Sequence, residues 1–238
     1  MSWVLANLGL IGQQLLAHLG QALPPIVLSL LLALPIAKLA GRWSGLRGTV
    51  SVGSGLLYAV PSLPLFIVLP LLLGTGIRSP LNIIVALTLY GLALMVPSAL
   101  GAFRAVPSDA LGAATAQGFT PVSRFLRVEL PLAGPSLLAG LRVVVVSTVS
   151  LVTVGGVLGV PSLGLLFIDG FQRNITAEIL TGIVLTAALA LLLDGLLVLV
   201  GRALMPWTRA SRSADPDADA EDTLARPSDP GAVAEGAV

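Results

Sequence analysis

GAATAQGFTPVSRFLRVELPLAGPSLLAGLR, residues Gly112 to Arg142, is a polar and cationic interruption in a chain that is otherwise apolar. Ala110 to Gln117 is strong helix-forming sequence, Ser108 after Pro107 is placed to cap it, and Gly118 has the backbone freedom to end it. Thr120-Pro121 restarts a helix, because threonine caps well and proline is tolerated at the first helical position. The second helix is expected over Pro121 to Glu129, with Phe125 set among Arg124, Arg127 and Glu129 and with Pro131 and Pro135 closing it off. An apolar knob ringed by charges suits insertion into a groove on another protein, so the stretch reads as a docking element.

What surrounds it is membrane. Of 238 residues 55% are hydrophobic and 11% charged, too apolar a balance for a soluble domain. The net charge near zero hides a division, because seven of the twelve acidic residues follow Ser213 and leave the rest cationic. Loop cations at a membrane explain that surplus without a nucleic-acid partner. With no cysteine there are no disulfides, thiolate nucleophiles or Cys-bound metals, and the single His18 builds neither a metal site nor a triad. His18 is expected to be an interfacial polar residue.

Five apolar segments approach the length of about 20 residues that a bilayer core requires: Ala22 to Ala40, Val52 to Leu73, Leu81 to Phe103, Ser136 to Gly159 and Thr176 to Val200. The second holds Pro61, Pro64 and Pro70, which break helical hydrogen bonding and place that span against protein or a water-filled path. Between the last two, Gly159 to Gly164 and the apolar Leu165 to Gly170 are too short to cross and read as a re-entrant or surface-lying piece. Ahead of the first, Val4, Leu8, Ile11, Leu15 and Leu19 share one helical side and Gln13, Gln14 and His18 the other, the pattern of a helix lying in the interface.

The expected fold is therefore all-α and integral to the membrane, with about five transmembrane helices plus an N-terminal interfacial helix. Residues 1–20 form that helix, 21–207 the transmembrane domain with a cytoplasmic loop at 104–134, and 208–238 a cytoplasmic tail whose Asp, Ala and Pro content predicts disorder. Five spans with the loop inside put the amino end outside. Lys38, Arg42, Arg47, Arg104, Arg124, Arg127, Arg142, Arg202, Arg209 and Arg212 then lie on or near the inner side, against Arg78 and Arg173 outside.

Ala113-Ala114, three residues, Gly118, nine residues, then Val128-Glu129-Leu130-Pro131 resembles the cytoplasmic EAA loop of the permease subunits of ATP-binding-cassette importers. One departure is that Gly112 stands where the loop's acidic residue is expected; Asp109 lies one helical turn earlier. Ala59-Val-Pro-Ser-Leu63, Gly74-Thr-Gly76, Leu89-Tyr-Gly91, Val128 to Ala133 running into Ala139-Gly-Leu-Arg142, and Ala190 to Asp194 resemble the branch importing glycine betaine, choline or carnitine. Pro97-Ser-Ala-Leu-Gly101 and Gly159-Val-Pro-Ser-Leu-Gly164 depart from that branch, and a methionine-like amino-acid importer remains open.

The resemblance implies a type I importer fold, two ATPase subunits, a second permease chain in a homodimer or a paralogous pair, and an extracellular solute-binding protein. It also implies a transport subunit rather than an enzyme, with ATP and Mg held by the ATPase; the chain has no phosphate loop with its lysine. Coupling to the ATPase is expected of Ala113, Ala114 and Gly118 through close packing and the turn, of Phe125 as the knob, and of Arg124 and Arg127 as electrostatic contacts. The translocation path is expected to involve Tyr58, Pro61, Tyr90, Gly155 and Gly156, the tyrosines offering aromatic faces to a quaternary ammonium. Asp194 is expected to be structural, within reach of Arg142 or Arg202. An ion-coupled carrier is disfavoured by a single intramembrane acid and no internal repeat, and an intramembrane enzyme by one His with no Cys.

Overall fold

The computed structural model describes residues 2–207. The tail at 208–238, expected to be disordered, lies outside them. Ten α-helices follow one another: α1 (Ser2–Ala6), α2 (Leu8–Ala40), α3 (Ser44–Ala59), α4 (Ser62–Leu73), α5 (Pro80–Arg104), α6 (Ser108–Ala116), α7 (Pro121–Arg124), α8 (Leu130–Val152), α9 (Leu163–Gln172) and α10 (Thr176–Leu204). A π turn, Phe125–Glu129, joins α7 to α8, and a 3₁₀ turn, Thr153–Leu158, extends α8. Four helices are long and apolar enough to span a bilayer, or five if the bent pair α3 and α4 counts as one span.

The helices stack in two cores along α5, the most buried of them. At the docking-loop end Ala33, Ala37 and Ala40 of α2 meet Met95, Val96 and Ala99 of α5 and Leu137, Leu141 and Val144 of α8. At the other end Ile83, Leu87 and Tyr90 meet Phe66, Val149, Val160 and Leu163. Close approach is possible because the crossing points are small: a Cβ on Gly91 would stand 2.6 Å from that of Ser29, and Gly140 lies against Ser98.

Four expectations are corrected. No break falls at residues 20–21: α2 runs unbroken for 33 residues, roughly 50 Å, well beyond a hydrocarbon core of about 30 Å. His18 is completely buried on it rather than interfacial, its Nε2–H donating to the Val149 carbonyl at 3.1 Å, and Gln21 donates to the Pro161 carbonyl at 2.6 Å. Those two carbonyls give His18 and Gln21 partners inside the protein, whereas Gln13 stays exposed as the amphipathic pattern has it.

The second span is not one helix facing the interior. It bends by 100° between α3 and α4, and α3 buries only Ser54. The residue before a proline is driven out of the helical region, and Val60 accordingly adopts ψ 127° ahead of Pro61. Lastly, Pro131 and Pro135 do not close the docking helix, which continues from Pro121 to Leu158 as a 38-residue helix. Pro131 lacks an N–H and its ring crowds the carbonyl four residues back; the π turn widens the backbone just there, with Leu130 N–H donating to Phe125 O five residues earlier.

Candidate functional site

The docking corner is built almost wholly from local chemistry. α6 ends in a Schellman arrangement: Gly118 takes φ +83°, its N–H donates to Thr115 O at 3.0 Å, and Phe119 N–H reaches back to Ala114 O at 3.1 Å. Thr120 then caps α7, its Oγ1 accepting from Ser123 N–H at 3.3 Å. Arg124 Nη1 donates to Thr115 Oγ1 at 2.8 Å and ties the second helix to the first. Ser108 is not the expected cap: the cap position falls on Pro107, and the Ser108 hydroxyl is turned toward the Asp109 carboxylate at 3.4 Å.

Phe125 does not project as a knob. Its ring lies edge-on to Phe103 of α5 with centroids 5.6 Å apart, and Lys38 Nζ of α2 stands 5.3 Å from the Phe125 centroid and 6.0 Å from that of Phe103. Lys38 is ion-paired with Glu129, whose residue is only 4% exposed. This cluster fastens the corner to α2 and α5 beside a cavity of about 300 Å³ that Lys38, Arg42, Arg104, Arg124 and Glu129 help to line. Outward stand Ala113 and Arg127, with Val122 68% and Leu126 54% exposed. Ala114 is buried.

The large apolar side chains exposed at the corner are thus Val122 and Leu126, one helical turn apart, which the reading from Phe125 missed. The signal was the i, i+4 spacing, set against Phe125 and Glu129 on the neighbouring face. Gly112 is open to solvent, and a Cβ there would meet nothing within 4 Å.

Of the residues expected along a path, Tyr58 and Tyr90 stand together beside the break at Pro61, while Gly155 and Gly156 lie in the 3₁₀ turn after α8. Tyr90 is buried and its hydroxyl donates to the Val60 carbonyl, a group freed by the break at Pro61; Tyr58, exposed, meets Tyr90 edge-on at 6.1 Å. That hydroxyl is spent on the fold. Gly155 and Gly156 are packing residues, since a Cβ on Gly156 would come 2.5 Å from the Gly164 carbonyl carbon.

Arg142 and Asp194 do pair, as expected of Asp194. Nε and Nη2 of the arginine donate to the two carboxylate oxygens at 2.7 Å each, joining α8 to α10. A second acid went unremarked in the sequence: Glu178, fully buried in the first turn of α10, where an acid suits the helix dipole, beside Asp169 and Arg173 and with no hydrogen bond to either carboxylate oxygen among the described residues. Among those residues no group of three or more His, Asp or Glu side chains stands together to hold a metal ion.

Residues 14–209 match the family described as the binding-protein-dependent transport system inner membrane component, and the chain belongs to that family. It is 34% identical over 138 residues to the ergothioneine transport permease/ergothioneine binding protein EgtU of Helicobacter pylori (strain G27), a match covering 58% of this chain and 24% of that longer protein. It is 28% identical over 201 residues to the glycine betaine/carnitine/choline transport system permease protein OpuCD of Bacillus subtilis (strain 168), covering 84% of this chain and 86% of that one. Among solved structures, the MetNI methionine ABC transporter in an inward-facing conformation superposes with a TM-score of 0.73 at 21% identity, over 84% of this chain and 98% of that chain, a likeness of fold. The protein is a multi-pass membrane permease subunit with the type I importer fold.

Proposed function

We propose that this chain forms the translocation path of an ATP-driven importer for an osmoprotectant such as glycine betaine, choline or carnitine. The observation that carries the solute is the match to the betaine, carnitine and choline permease across most of both chains. The methionine reading rests on a likeness of fold at 21% identity and is the weaker one.

The docking corner supports coupling to a separate ATPase, which would hold ATP and Mg. The exposed Val122 and Leu126 enter its groove, Arg127 and Ala113 border them, and Arg124 with Gly118 holds the corner's angle. Two ATPase subunits, a second permease chain and an extracellular binding protein complete the assembly. The inner-side surplus of Lys and Arg supports an outside amino end and a cytoplasmic tail.

The test is uptake of labelled glycine betaine by a transport-deficient host expressing this chain with its neighbouring ATPase and binding protein. Uptake that disappears when the ATPase is inactivated is the expected result. ATPase-dependent uptake of methionine with none of glycine betaine, choline or carnitine would overturn the solute, and uptake indifferent to the ATPase would overturn the class.

A further inference from the structure

Opposite the buried face of α8, formed by Leu141, Val144, Val145 and Thr148, the helix presents Ala139, Arg142, Val143, Val146 and Ser147. With Asp194 of α10 these wall an open groove of about 420 Å³. Arg142 lies near the middle of α8, roughly 15 Å from Val152, and Asp194 lies about as far from the end of α10 at Leu204. The ion pair therefore joins the two helices within their inner halves, and its side chains are 46% and 20% exposed.

Two guanidinium donors are used on Asp194, and the others have no partner among the described residues. Hydrocarbon offers such donors nothing, and intramembrane charges accordingly face protein or water. We infer that this groove is a water-filled stretch of the translocation path, and that Arg142 and Asp194 form a contact there for a zwitterionic quaternary ammonium solute. The inference rests on the importer reading above and deepens it.

A guanidinium fork binds any carboxylate in the same bidentate way. A solute carboxylate takes the place of Asp194 on Arg142, and the released Asp194 faces the solute's cationic group. One ion pair becomes two, with no charge left alone. A solute that is only a cation strands Arg142, so the groove favours glycine betaine and carnitine over choline.

The chain contains no cysteine, so labelling of this chain in a single-cysteine variant reports one position. Ser147→Cys and Val143→Cys leave the pair intact; Leu192→Cys, exposed on the side of α10 away from Asp194, is the control outside the groove. The probe is trimethylammonioethyl methanethiosulfonate, applied to the assembled transporter in membrane vesicles. Labelling at 147 is expected to run about tenfold faster than at 192, because a hydrated thiolate is the reactive form. Saturating glycine betaine is expected to slow it about fivefold by mass action, and choline to leave it unchanged.

A rate at both 143 and 147 no greater than at 192 would overturn the aqueous groove. Labelling that glycine betaine does not slow, or that choline slows equally, would overturn the zwitterion contact. Val143→Cys carries the test should Ser147→Cys fail to assemble. Absence of ATP-dependent uptake by the unsubstituted chain would instead count against the importer reading, which the labelling ratio does not use.

Discussion

The two ends of α8 are anchored by opposite means. At the docking-corner end the helix is held through side chains: Glu129 on Lys38, with Lys38 standing close to the rings of Phe103 and Phe125. At the other end it is held by the absence of side chains. Gly156 and Gly164 bring the 3₁₀ turn against the start of α9 so closely that a Cβ on Gly164 would fall on the backbone of Thr153. Long side chains and rings re-seat by rotamer changes while the backbones beneath them shift, whereas backbone packed on backbone has no such slack. On the proposed function, the corner that would transmit movement is attached by adjustable groups and the opposite end by glycine.

The largest effect that tests this contrast belongs to Gly164→Ala. Overpacking against backbone is expected to cost about 3 kcal/mol, read as a fall in the unfolding midpoint of the detergent-solubilised complex. A variant as stable as the parent would show that the glycine seat is looser than its geometry. Next comes Glu129→Gln, expected to cost about 1 to 2 kcal/mol, because Lys38 is one-third exposed and rehydrates once its partner is neutral. A loss equal to that of Gly164→Ala would erase the distinction between the two ends. Smallest for stability is Leu126→Asp, within about 0.5 kcal/mol at an exposed site. The same change is expected to abolish co-purification with the ATPase, while retained co-purification would return the knob to another residue.

Much of this architecture was legible from residue order. Gly118 with Thr120-Pro121 announced the corner, because those residues act through their own backbone and nearest neighbours. Apolar runs of bilayer length announced the spans, and the prolines of the second span announced a break, though not its 100° bend. Where sequence reasoning went astray, a distant partner decided. Phe125 looked like an outward knob until Phe103 and Lys38, from two other helices, supplied the inner face it prefers. His18 looked interfacial until the Val149 carbonyl supplied a buried acceptor. Pro131 looked like a stop until the π turn removed the clash.

By itself the sequence determined the membrane setting, the helical class, the turn chemistry of the docking corner and the motif spacing that matches a permease family, since all of these depend on composition and on residues a few positions apart. Only the tertiary structure decided which side of the corner faces out, that the first helix runs on as one buried piece, and that Arg142 meets Asp194 at an open groove. Those depend on which helices stand beside one another, a matter of packing between residues that no local period relates.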